Sequence, residues 1–258
     1  MTRHYHQSIG ILLWLGIMLT PLVAVAQAPT DAESVAQGKV VFARTCRWCH
    51  GATGKGDGPA AFFIGAYSAP RPRNFTGDES YKFRSTASGE LPNDEDLFRT
   101  ITRGIPGYMP SFAGLSPVER WQVIAYIKSL NPEFEETPAP PLNIEMPHIP
   151  PSPESLRRGQ EVYLAFECDS CHGIDGRGDS ALYRAGELRD SQGLRIRPTD
   201  LTAPTSFKNS QSPREMGMSI MTGLDGTPMP AFAEAFADSP DDLWHLVNYL
   251  RSLSDETW

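Results

Sequence analysis

Apolar positions in this chain recur at helical spacing in short stretches, separated by long runs with no period. Val35, Val40, Val41 and Phe42 mark a helix over Asp31 to Arg44, and Leu156, Val162, Tyr163 and Leu164 mark another from Pro153 to Phe166. Two wider stripes follow: Trp121, Ile124, Tyr126 and Ile127, then Trp244, Val247, Tyr249 and Leu250. Each stripe opens on a Ser-Pro pair, Ser116-Pro117 and Ser239-Pro240, with Glu119 or Asp242 in the first turn. Serine caps the free amides, proline suits the first helical position, and acids favour the positive end of the helix dipole. Lys128 and Arg251 stand near the opposite, negative ends. A shorter helical run spans Pro213 to Met221. No Val/Ile-rich alternation of the kind a βαβ unit needs occurs anywhere.

These elements come in the same order twice, so the chain contains an internal duplication. Arg71-Pro72-Arg73-Asn74-Phe75-Thr76 is answered by Arg197-Pro198-Thr199-Asp200-Leu201-Thr202. Gly104 to Pro110 is answered by Gly223 to Pro230, each ending in Met-Pro. Between the halves, residues 131–152 hold seven prolines and four Glu with no Lys or Arg, which reads as a semi-rigid extended linker. His148 and Met146 fall in it and read as plain linker residues.

Residues 9–19 form an apolar run after Arg3 and are followed by small residues at Ala24, Ala26 and Ala28. That layout is a cleaved secretory signal, and it is too short and wrongly flanked for a membrane span. The expected division is therefore 1–28 signal peptide, 29–130 first domain, 131–152 linker and 153–258 second domain. No later stretch is apolar enough for stable membrane insertion. Two domains of about 100 residues have modest peptide cores, and 22 Gly and 23 Pro weaken them further. A large apolar cofactor can act as part of such a core.

All four cysteines fall in two Cys-x-x-Cys-His runs, Cys46 to His50 and Cys168 to His172. The pattern reads as covalent attachment of c-type haem: two thiols add to the porphyrin vinyl groups and the histidine supplies an imidazole to the iron. A thioredoxin-like redox pair belongs near a βαβ unit, and a four-thiolate zinc site would have to join motifs from opposite halves. Neither alternative accounts for a histidine directly after each second cysteine. The second axial ligand is expected from Met109 and Met229, each held in a turn bounded by proline, at nearly the same distance after each histidine. Met216, Met218 and Met221 are rivals in the second half and are expected to line the pocket instead. Arg71, Arg73 and Arg197 are candidates to pair with haem propionates, because a guanidinium fork matches a carboxylate.

On these motifs the chain resembles class I cytochromes c in a tandem dihaem arrangement, over nearly all of its length after the signal. The resemblance implies an all-α fold of two tandem domains, each wrapped on one of two covalently bound haem c groups. It also implies terminal helices that cross near the haem and a Met loop on the other face. The run Arg71 to Phe75 and the stretch Phe83 to Pro92 look like a subgroup of periplasmic cytochromes that accompany respiratory oxidoreductases.

The expected function is single-electron relay between periplasmic redox proteins, donor and acceptor, with no nucleic acid involved. A respiratory oxidoreductase is a candidate partner, and a fixed place as one of its subunits is an alternative. The enzyme alternatives, a dihaem peroxidase or a sulfur-compound oxidase, need an open iron with acid–base groups, or a spare Cys ligand. Both haems have a Met candidate, no Cys is left over, and past the expected signal segment His245 is the only histidine outside the motifs and linker. Charge is uneven: residues 28–130 hold 12 Lys+Arg against 10 Asp+Glu, and residues 153–258 hold 10 against 17. An acidic second domain suits a basic partner. Electron exchange with such a partner, followed by stopped flow, is expected to slow as ionic strength rises; a flat salt profile would remove the idea.

Overall fold

The computed structural model describes residues 27–61, 71–77, 81–135, 139–144 and 147–254. The expected signal segment lies outside them except for Gln27 and Ala28, as does Met146. The first half opens with α1 (Ala32–Thr45) and α2 (Arg47–His50), continues with α3 (Asp94–Arg103), and closes with α4 (Pro117–Lys128). The second half has α5 (Pro153–Ala165), α6 (Cys168–His172), α7 (Ala181–Ala185), α8 (Pro213–Thr222) and α9 (Pro240–Ser252). Among the described residues there is no strand, only isolated bridges at Ile105–Met109 and Arg189–Arg195. The architecture is all-α in two domains. Among the described residues no helix is long and apolar enough to cross a membrane.

Each domain is organised by one helix crossing, α1 on α4 and α5 on α9. Glycine permits the crossing. A Cβ at Gly38 would lie 1.9 Å from the Gln122 carbonyl oxygen, and one at Gly159 would lie 2.1 Å from that of His245. Beside the crossing, Phe42 meets Tyr126 edge-on at 5.2 Å, and Tyr163 meets Tyr249 at 5.5 Å. Phe42 and Tyr163 are each 1% exposed, and burying such a ring stabilises by about 2–3 kcal/mol. The tyrosines therefore pack between terminal helices. The tryptophans face the helix before the closing one in each domain: Trp121 stacks on Phe98 of α3 at 4.3 Å, and the Trp244 ring lies against Gly217 of α8.

Helix ends follow local chemistry. Ser116 and Glu119 form a capping box at α4. Ser239 occupies the same position at α9 but makes no side-chain cap bond. The acid of its first turn, Asp242, is engaged by the Arg158 guanidinium, 2.7 Å from Nε, so no box forms there. The sequence pattern missed α3, whose first turn is polar throughout. It is started by a capping box between Asn93 and Asp96. Asp96 also accepts from the Ser85 amide at 2.8 Å, and Asp94 accepts from the Ala28 amide at 2.7 Å and from Lys128 Nζ at 2.6 Å.

The segment between the halves is fastened on both sides rather than free. The Leu142 amide donates to the Ser85 carbonyl at 2.8 Å in the first domain. Ile144, 8% exposed, belongs to the core of the second. Asn248 Nδ2 donates to the Ile149 carbonyl at 3.0 Å, and His148 Nε2 stands 3.0 Å from Asp241. Proline makes this segment extended; backbone bonds at Leu142 and Ile149 and the side chains of Ile144 and His148 dock it.

Gly159→Ala forces a methyl into the His245 carbonyl and is expected to cost about 3 kcal/mol, read as a lower denaturant midpoint of the intact protein. An unchanged midpoint would mean that α5 and α9 do not approach so closely.

Candidate functional site

Each Cys-x-x-Cys-His run folds as a short helix continuing from the opening helix of its domain. The thiols of all four cysteines are half-buried and unpaired. Burial raises the pKa of Cys46 and Cys49, and it pushes Cys168 up to about 11, helped by the Asp169 carboxylate.

The two histidines are held identically. The Nδ1 atom of His50 lies 3.0 Å from the Arg73 carbonyl, and that of His172 lies 3.0 Å from the Thr199 carbonyl. A carbonyl can only accept, so Nδ1 carries the proton and Nε2 keeps its lone pair for a metal. Burial lowers both histidine pKa values, so the rings are neutral near pH 7. The carbonyl is itself positioned by the repeat. Phe75 donates its amide to Gly54 at 2.7 Å, as Leu201 does to Gly176 at 2.7 Å. Asn74 Oδ1 accepts from Thr76 and Asp200 Oδ1 from Thr202, closing the same turn in both halves. The Phe75 ring stacks on His50 at 4.5 Å.

The Met turns are equally matched. Ile105 donates to the Met109 carbonyl at 2.8 Å, and Leu224 to that of Met229 at 3.1 Å. Both turns begin at a glycine with positive φ, Gly104 at 72° and Gly223 at 67°. A side chain at Gly104 would strike the Met109 carbonyl, with its Cβ 2.4 Å away. Both methionines are half-buried.

One continuous cavity of ≈ 1060 Å³ joins the two halves, and every residue singled out above as a ligand, anchor or propionate partner lines it. Those are Cys46, Cys49, His50, Arg71, Arg73 and Met109 from the first half, and Cys168, Cys171, His172, Arg197 and Met229 from the second. The walls between them are largely apolar, with Phe75, Leu97, Ile101, Ile127, Leu188 and Phe232. Thiols beside a neutral imidazole with a free Nε2, a thioether turn and apolar walls are the donor set and surroundings that a thioether-bound haem needs. The volume exceeds the usual range for one small-molecule pocket.

The arginines differ in setting. Arg71 and Arg197 are exposed, and Arg73 lies 3.7 Å over the Tyr81 ring. Arg197 Nη2 reaches the Arg177 carbonyl at 3.4 Å. The sequence reading missed Lys208, a further cation lining the cavity, whose pKa is lowered by burial and by Arg197. Its signal was the repeat itself, since Phe207-Lys208 answers Phe83-Arg84. The expected placement of the rival methionines needs correction. Met216 lines a small apolar extension of the cavity, whereas Met218, 3% exposed, belongs to the second domain's core and lines neither space. Met221 packs on that core. Helical spacing turns residue 218 away from the face that residue 216 presents.

The family model for cytochrome c matches residues 35–131 and 156–254. Among solved structures the chain is similar to one chain of the Kuenenia stuttgartiensis reducing HAO-like protein complex Kustc0457/Kustc0458. The two are 37% identical with a TM-score of 0.79, covering 89% of this chain and 100% of that one. No curated protein matches the chain. Replacing Cys168 and Cys171 together by Ser is expected to halve the covalent haem per chain, measured by pyridine haemochrome yield and intact mass. Full retention would mean that the second motif does not carry haem.

Proposed function

Because the chain belongs to the cytochrome c family, in two tandem domains, its work is haem-based electron transfer, and we propose that it is a dihaem relay in the periplasm. In this reading it passes single electrons between redox partners, with His50 and Met109 as axial ligands in the first domain and His172 and Met229 in the second. Each haem, when bound, supplies an iron that exchanges one electron. The chain's own residues do the rest. The thiols of Cys46 and Cys49, and of Cys168 and Cys171, fix the porphyrin. The Arg73 and Thr199 carbonyls orient the imidazoles. The Met turns carry soft thioethers, which favour the reduced state and raise the potential. Arg71, Arg73 and Arg197 balance propionate charge, and the apolar walls keep water away.

The observation that carries this reading is the shared cavity, in which both sets of ligands converge from two domains. Residues 9–19 and the haem motifs together support export to the periplasm. The enzyme alternative gains little, because His245 is occupied in the α5–α9 packing. Its Nδ1 lies 2.9 Å from Ser155 Oγ, and it does not line the cavity. One alternative has a specific observation behind it. The solved neighbour is part of a reducing HAO-like protein complex, which favours a partner of that kind and a place as its electron-carrying subunit.

Optical spectra of the purified holoprotein test the relay. Both haems are expected to be low-spin and the reduced protein inert to carbon monoxide. Met109→Ala and Met229→Ala are each expected to remove about half of the far-red Met–iron band. Ready carbon monoxide binding by the unmodified protein would show an open iron and move the enzyme alternative forward.

A further inference from the structure

Phe83-Arg84 and Phe207-Lys208 occupy corresponding places in the two halves, each ahead of the helix that leads into a Met turn. Both cations leave their own domain. The Arg84 side chain is fully buried, and its Nη2 lies 2.8 Å from Asp225 Oδ1 and 2.9 Å from the Thr222 carbonyl. Thr222 ends α8, and Asp225 sits inside the turn that Leu224 and Met229 close. The guanidinium is held from behind by its own domain, through the Ala87 carbonyl at 2.9 Å and the Tyr81 carbonyl. Asp225 also accepts from Ser88 Oγ at 2.7 Å and from the Gly89 amide at 2.8 Å, again across the domain boundary. In the reverse direction, Lys208 Nζ lies 5.1 Å from the ring centre of Tyr108, the neighbour of Met109.

We propose that Arg84 and Lys208 are positioning residues that act across the domain boundary, each domain holding the turn that bears the other's methionine. The proposal rests on Met109 and Met229 being the axial ligands. Arg84 acts through the backbone at Thr222 and through Asp225, which is 10% exposed. A buried carboxylate that loses the cation paired with it is destabilised, and the turn carrying Met229 would shift to hydrate it. The first domain thus sets how firmly the second haem keeps its thioether, and Lys208 does the same in reverse through a weaker cation–ring contact.

Haem-resolved NMR of the bound Met methyl signals, with imidazole titration, tests this on the holoprotein. Met229→Ala assigns the second haem's signal and checks the ligation separately. Arg84→Gln is expected to broaden the Met229 signal and to make imidazole bind the second haem about tenfold more tightly, the effect of losing one buried charge-assisted bond. The first haem should be unchanged. Arg84→Lys keeps the charge but cannot hold the Ala87 and Tyr81 carbonyls at the same time as Asp225, and should recover part of the effect. Lys208→Gln should act on the Met109 signal alone. If Arg84→Gln fails to fold, Asp225→Asn keeps the shape of the turn and carries the same expectation. Effects confined to the mutated residue's own domain, or absent from both haems, overturn the proposal. If Met229→Ala leaves both Met signals in place, the ligation itself is wrong.

Discussion

An imidazole can offer a metal only the nitrogen that carries no proton, and in both halves of this chain a backbone carbonyl decides which nitrogen that is. The Arg73 and Thr199 carbonyls fix the tautomer and the plane of His50 and His172. Much else exists to keep those carbonyls in place. The turns at Asn74–Thr76 and Asp200–Thr202 and the amide bonds to Gly54 and Gly176 set the height of each loop above its motif. The helix crossings then set where each motif begins, since α2 and α6 start at the ends of α1 and α5. Moving any of these tilts the ring.

The two halves share that local chemistry and differ in what surrounds it. The first domain opens its last helix with a capping box, and the second spends the equivalent acid on an interhelical ion pair with Arg158. The first domain's loop before α3 is longer and supplies Ser88 and Gly89, which clasp Asp225 in the other domain. The second domain's shorter loop brings only Lys208 to an aromatic ring. A duplicated unit has thus been fitted to its own copy through loops that differ between the halves.

The four long terminal helices were legible because their apolar stripes have one period and their caps one chemistry. Their observed bounds fall within a residue of the expected ones for α1 and α5. The Cys, His and Met candidates of each half were legible because each motif occurs twice; that both sets line one cavity was not, since no residue pattern says how the halves face one another. Helix α3 was not, because Asp94, Glu95 and Asp96 leave no apolar stripe at its start and its stability comes from caps and buried acid bonds that join distant residues. The second task of the Arg-Pro runs was hidden for a related reason: it is done by backbone carbonyls, and a carbonyl leaves no trace in residue identity. The docking of the linker was hidden because its prolines describe stiffness and are silent on where the Leu142 amide and the Ile144 side chain are bound.

That docking has a mechanical consequence. With Leu142 tied to the first domain and Ile144 sunk in the second, the linker is anchored on both walls of the shared cavity. Domains on a loose tether exchange electrons only when they swing together, so their rate falls as the solvent thickens. In the proposed relay no such swing would be required, and viscosity would have nothing to act on between the two sites; friction would enter only where the molecule meets its partners.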